Sequence, residues 1–160
     1  MRKLLCLAAL LAIAALPARD ATAQFHFSPL FGYDIDYEAL MVGLGFEVPV
    51  TPGFLPVSAS LRPSVEYVFL DQIEGVEASL FRANGDVLAR FSLPAAPISP
   101  YGKAGVAAEF ASIDVDGESE SNTEIGINLG GGVLFNSFFV EATAGLMEVS
   151  NFRVAAGYRF

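Results

Sequence analysis

Four groupings of side chains carry residue types from which chemistry is built. His26 is the only histidine of the chain, and Ser28 shares its parity, with Ser58 and Ser60 in phase on a later segment. A catalytic imidazole needs a nucleophile and an orienting carboxylate beside it. The expectation is a hydrogen-bonded polar histidine, and no catalytic residue is assigned. A second grouping, Asp114, Asp116, Glu118 and Glu120, alternates carboxylates around Gly117, a pattern hard cations such as calcium favour. The other ligands of a calcium loop are missing, so this reads first as a solvated acidic loop and only weakly as a cation site; no resident metal is expected. Gly130-Gly131-Gly132 resembles a phosphate cradle in composition, but it opens no helix. Glycines there would let a strand bend.

The fourth grouping is the strongest. Six bases, Arg62, Arg82, Arg90, Lys103, Arg153 and Arg159, fall on the same parity of their segments as six acids, Glu47, Glu66, Asp86, Glu109, Glu124 and Glu141. Six against six is neutral, which is what a set of mutually paired charges requires.

Composition limits what these groups can serve. The 160 residues are 53% hydrophobic and 17% charged, with nine Lys+Arg against eighteen Asp+Glu and a net charge of -9. One domain is expected, and a nucleic-acid partner is excluded for want of a basic surface. Met1-Arg2-Lys3, the apolar run from Leu4 to Leu16 and Ala21-Thr22-Ala23 have the charge, length and small-residue cleavage site of a secretory leader. Residues 1–23 are therefore read as a signal peptide and 24–160 as the exported domain. The single cysteine, Cys6, lies in the leader, so disulfides and thiolate chemistry drop out of the domain.

Beyond the leader no apolar run approaches the length of a spanning helix. The hydrophobic residues alternate instead, with the period of strands. Phe25, Phe27, Phe31, Tyr33 and Ile35 open the series; Leu40 to Val48, Val57 to Phe69, Phe81 to Leu93, Ala104 to Phe110, Ile125 to Phe135, Phe138 to Leu146 and Phe152 to Phe160 continue it. Asn84-Gly85 is a common hairpin dipeptide, yet parity holds across it, which favours one long strand. Pro94 to Pro100 reads as a turn and Asp114 to Asn122 as a loop. Eight strands and no helix result. The remaining acids gather in alternate connections: Asp34, Asp36 and Glu38; Asp71, Glu74 and Glu77; Asp114 to Glu120; and Glu148.

Apolar side chains on one face, charges on the other and no helix describe a closed barrel in lipid, where every backbone group is paired and no edge is left. Aromatics stand at both ends of the strands, as interfacial belts do. The segment Arg153-Val-Ala-Ala-Gly-Tyr158-Arg-Phe160 resembles the assembly signal of bacterial outer-membrane barrels, with Ala155 where that pattern usually has Gly. With Pro100-Tyr-Gly-Lys-Ala-Gly105, the leader and the strand count, the chain resembles the small eight-stranded barrels of the OmpA transmembrane-domain and OmpX type. The resemblance implies an all-β, closed, eight-stranded antiparallel up-and-down barrel in the outer membrane. It also implies both termini in the periplasm and the acidic connections outside. Outer-membrane lipids and the barrel-assembly machinery, engaged through Tyr158 and Phe160, are the implied partners of a monomer without cofactor.

The functional expectation is a non-enzymatic barrel with a structural or surface-interaction role, its lumen filled by paired charges. Two alternatives stay open: a narrow pore or carrier for small solutes or hydrophobic molecules, and a lipid-modifying enzyme, since such enzymes exist on this architecture.

Overall fold

Alternation of apolar and polar residues through successive segments lets every strand pair on both sides only if the last strand meets the first. The computed structural model, which describes residues 25–50, 57–70, 76–93, 96–115, 118–149 and 151–160, closes in this way. The strands are β1 (His26–Asp34), β2 (Ala39–Pro49), β3 (Val57–Phe69), β4 (Val76–Phe91), β5 (Ile98–Val115), β6 (Glu118–Phe135), β7 (Phe138–Met147) and β8 (Phe152–Tyr158). Each pairs antiparallel with its sequence neighbours, and β1 pairs antiparallel with β8 from Leu30↔Gly157 to Asp34↔Arg153. The fold is the closed up-and-down barrel the alternation implies. The leader read at residues 1–23 lies outside the described residues.

Asn84 and Gly85 sit within β4, opposite Ser64 and Pro63 of β3, so unbroken parity outweighs the local hairpin signal. The true two-residue turn is Asn136-Ser137, between the paired Phe135 and Phe138, where Asn136 takes a φ of 55° that asparagine tolerates better than most residues.

The outward face is apolar, as expected in lipid. At the end where β1 begins and β8 finishes, called the termini end below, Phe46, Phe27, Phe160, Tyr158 and Phe138 form a continuous chain of rings with neighbouring centroids 4.6–6.2 Å apart. At the opposite end Tyr67 lies edge-on to Phe69, and Phe81 meets Phe110 across β4 and β5.

Three expectations need correction. The stretch from Asp114 to Asn122 is not a loop: β5 and β6 stay in register from Ile98↔Phe135 as far as Val115↔Glu118, making one long hairpin that β4 accompanies as far as Val76↔Val115. The Pro94–Pro100 turn is shorter than read, since β5 already begins at Ile98. The inward face is not wholly polar either. Leu30, Met41, Val68, Leu80, Leu88, Tyr101, Leu134 and Phe139 are buried among the lumen charges, because a filled interior needs bulk as well as pairing.

The triple glycine acquires a different explanation from strand bending. A side chain at Gly132 would run into the main-chain oxygen of Val140 and lie 2.7 Å from the Tyr101 hydroxyl, and one at Gly130 would run into the main-chain oxygen of Ala142 and lie 3.2 Å from Lys103 Cε. These two glycines let the β7 backbone approach and leave room for Tyr101 and Lys103. At Gly102, by contrast, an added Cβ meets nothing within 4 Å. Gly132→Ala should therefore destabilise the folded barrel by about 1–3 kcal/mol through overpacking, while Gly102→Ala should stay within about 0.5 kcal/mol of the parent, both read from urea unfolding in detergent. Equal midpoints for the two variants would remove this account of the glycines.

Candidate functional site in the barrel lumen

Register decides which inward side chains meet. Glu66 of β3 stands opposite Arg82 of β4, which stands opposite Glu109 of β5, so one row across three strands reads acid, base, acid. Arg82 has no solvent exposure. Its Nε and Nη2 donate to Glu109 Oε2 at 2.9 and 2.6 Å, Nη1 to Glu66 at 3.2 Å, and Nη2 to Asp34 Oδ2 at 3.1 Å. Arg153, paired in register with Asp34, sets Nε 3.4 Å from Glu66 and donates to Asn151 and Asn84. From the turn after β1, the Tyr37 hydroxyl donates to Glu109 at 2.7 Å. Burial, then that bond to a carboxylate, pushes the Tyr37 phenol above its ordinary range.

Toward the termini the next tier is neutral. Asn128 donates to Asn84 at 2.9 Å and to Asp86 at 3.3 Å, and Asn84 donates to Ser64. Below it, Glu141 collects Arg62 Nη2 on both oxygens at 2.7 and 2.9 Å, Lys103 Nζ at 2.8 Å and the Tyr101 hydroxyl at 2.7 Å. Lys103 also lies 3.4 Å from Asp86. At the termini end Arg90 grips Glu47 with two bonds of 2.9 Å, and Ser60 donates to the same carboxylate. Each buried carboxylate thus meets several donors, the condition under which buried ion pairs are tolerated.

Of the charges singled out from the sequence, the structure brings together Glu47, Arg62, Glu66, Arg82, Asp86, Arg90, Lys103, Glu109, Glu141 and Arg153. Arg159 lies at the termini end, where it contacts His26 Nε2 at 2.9 Å and forms no ion pair among the described residues. Glu124 is the exception. It follows Glu109 in the same row, but a second carboxylate there has no base to face; it is half-buried and accepts from Asn122. Asp34 takes the place expected of Glu124. It was grouped with the connections, although its parity with Ser28 already pointed inward. Tyr101, Asn84 and Asn128 were missed for want of charge, and nothing in the sequence signals that Tyr37 reaches back to Glu109.

His26 faces no serine. Its Nδ1 lies 2.8 Å from the main-chain oxygen of Phe160 and its Nε2 is taken by Arg159, so both ring nitrogens are engaged; Ser60 turns to Glu47 instead. For the acidic segment, Asp116 and the side chains of Asp114 and Glu118 lie outside the described residues, and Glu120 is paired in register with Ile113. Among the described residues no three His, Asp or Glu side chains are arranged to hold a metal ion. The void beside Ser28, Arg62 and Arg90 holds about 10 Å³, room for about one water.

No sequence family matches the chain, and no curated protein matches it. Three-dimensional comparison is informative. The N-terminal β-barrel domain of Pseudomonas aeruginosa OprF superposes with a TM-score of 0.59 at 17% identity, over 85% of this chain and 96% of that one. The chain has the fold of the small outer-membrane barrels. Ail, the attachment invasion locus protein of Yersinia pestis, matches with a TM-score of 0.54 at 15% identity, over 85% and 95% of the two chains. The outer membrane enzyme PagL does so with 0.52 at 12% identity, over 84% and 96%. The same wall thus serves proteins of different kinds, and the likeness is one of fold.

Replacing Arg82 with Ala leaves Asp34, Glu66 and Glu109 converging on a space with no cation. The expected cost is about 3–5 kcal/mol in a urea melt of the refolded barrel. Val106→Ala, on the exposed outward face, should cost less than about 1 kcal/mol because lipid or detergent fills the space. A loss below about 1 kcal/mol for Arg82→Ala would mean that water reaches the acids, as in a pore.

Proposed function

We propose that the chain is an exported outer-membrane barrel that works by surface interaction, holding an open-edged acidic sheet outside the cell, and that it catalyses no reaction. The observation that carries this reading is the unequal length of the ladders. β5 and β6 pair out to Val115↔Glu118, and β4 follows β5 out to Val76↔Val115. The β6–β7 ladder, however, begins only at Gly126↔Met147. Among the described residues, 118–125 of β6 therefore have no strand beside them on the β7 side, leaving an edge about 25 Å long at roughly 3.3 Å per residue. Two side chains cap it among the described residues: the Glu148 carboxylate accepts from the Ile125 amide and Asn122 Oδ1 from the Thr123 amide.

A free edge is a template for an added strand. Glu120 and Glu124 along it repel a second copy of the same edge and favour an extended partner bearing Lys or Arg. This supports a monomer with an external polypeptide partner. The occupied nitrogens of His26 support the absence of enzymatic activity, and the shut-off Arg82 stands against the pore or carrier. Both termini in the periplasm, the projecting hairpin outside, and lipid and assembly-machinery partners engaged through Tyr158 and Phe160 complete the proposal. In the barrel, Phe160 stacks between Phe27 and Tyr158 and its amide donates to the Phe27 carbonyl, so the terminal aromatic also completes the seam between the first and last strands.

The test shortens the hairpin by deleting residues 113–120 and measures retention of an extended peptide of alternating Lys and Thr on the refolded barrel. The parent should retain the peptide about tenfold better at low salt and lose that advantage as salt screens the acids, with the folded barrel intact in both. Equal retention by parent and shortened forms would contradict the reading.

A further inference from the structure

The free edge of β6 carries a side chain that shuts part of it. In an extended strand, residues two apart direct their main-chain groups to the same side. The Ile125 amide is accepted by Glu148, which follows β7, so Ile125 and Thr123 both point their N–H groups to the side where the β7 ladder has ended. The Thr123 amide is taken there by Asn122 Oδ1 at 3.0 Å. The nitrogen of the same side chain, Nδ2, donates to Glu124 Oε1 at 3.0 Å.

These two bonds hold Asn122 in one orientation, because a main-chain N–H needs the amide oxygen and a carboxylate needs the amide nitrogen. Among the described residues no base faces Glu124, and Asn122 is the side chain that donates to it. A neutral amide is a weak partner for a carboxylate; a cationic donor forms a bond roughly twice as strong. A base arriving at Glu124 therefore displaces Asn122 Nδ2, and the amide oxygen leaves Thr123 with it. The freed N–H then joins a ladder with an added strand. A strand without a base has to break both bonds of Asn122 and leaves Glu124 with no donor in exchange.

We propose that Asn122 is a latch on the β6 edge, released when a lysine or arginine of an extended partner pairs with Glu124. The inference rests on the reading of that edge as a surface for an added strand, and it supplies the rule by which the edge admits one. Glu120, Asn122 and Glu124 share the parity of Glu109, whereas Ser121 and Thr123 share that of Phe110. The partner's bases must stand on one parity, beside Glu120 and Glu124, with small hydroxyl or β-branched side chains on the other, beside Ser121 and Thr123. Such a latch also blunts the edge against neutral strands, the usual hazard of an unpaired strand.

The experiment uses the full barrel refolded in detergent, an extended peptide of alternating Lys and Thr, and its neutral counterpart of alternating Gln and Thr. The parent should retain the Lys peptide about tenfold better than the Gln peptide. Asn122→Ala, at an exposed position, should raise retention of the Gln peptide about tenfold and so narrow the difference. Glu124→Gln should weaken the Lys peptide more in the parent than in a form already carrying Asn122→Ala, a coupling that simple loss of charge does not produce. Without peptide, the Thr123 amide should exchange its hydrogen about tenfold faster in Asn122→Ala than in the parent. Equal discrimination between the peptides by parent and Asn122→Ala, or an unchanged Thr123 exchange rate, would overturn the latch and leave the edge as a binding surface. Retention of neither peptide by any form would overturn the latch and the surface reading together.

Discussion

A guanidinium with no solvent exposure, held among three carboxylates, is tolerable only if its partners cannot move apart. Arg82 meets Asp34, Glu66 and Glu109 within 3.2 Å, and those acids come from β1, β3 and β5. The wall of the barrel sets their separation, and the pairing in turn ties non-adjacent strands across the lumen. Closure in lipid makes this arrangement necessary. Once the outward positions are apolar, the polar residues have nowhere else to go, and in a barrel of eight strands the interior has no room to keep them hydrated.

The remaining features follow from packing that column of charge. Glycine replaces bulkier residues where Tyr101 and Lys103 must reach Glu141, and the neutral pair Asn84 and Asn128 separates two charged tiers. Beyond the acid, base, acid row, Met41, Val68 and Leu80 form the next inward row and are almost fully buried. Toward the hairpin end, Arg82 and Arg153 face three acids. The lumen is thus filled by the barrel's own paired side chains.

How much of this could be read beforehand depends on the kind of information alternation carries. Period two reports the face of a residue, so the strand count, the outward aromatics and the inward charges were legible, as was the continuity of β4 through Asn84-Gly85. Period two says nothing of height. That Glu109 rather than Glu124 meets Arg82, and that Arg62 pairs with Glu141 across the lumen instead of with Asp86 directly opposite, depends on stagger and side-chain reach. Asp34 was overlooked because it ends its strand among other acids, and the projecting hairpin because Ser, Asn and Glu have low strand propensity and read as loop. Its ladder is kept by continuous backbone pairing with β4 and β5.

The central claim is that the lumen is closed by its own ion pairs. Planar-bilayer recording of the refolded barrel tests it most directly. A filled lumen predicts no steady current at any salt concentration or voltage that leaves the barrel folded, whereas a stable single-channel conductance that grows with salt would contradict it.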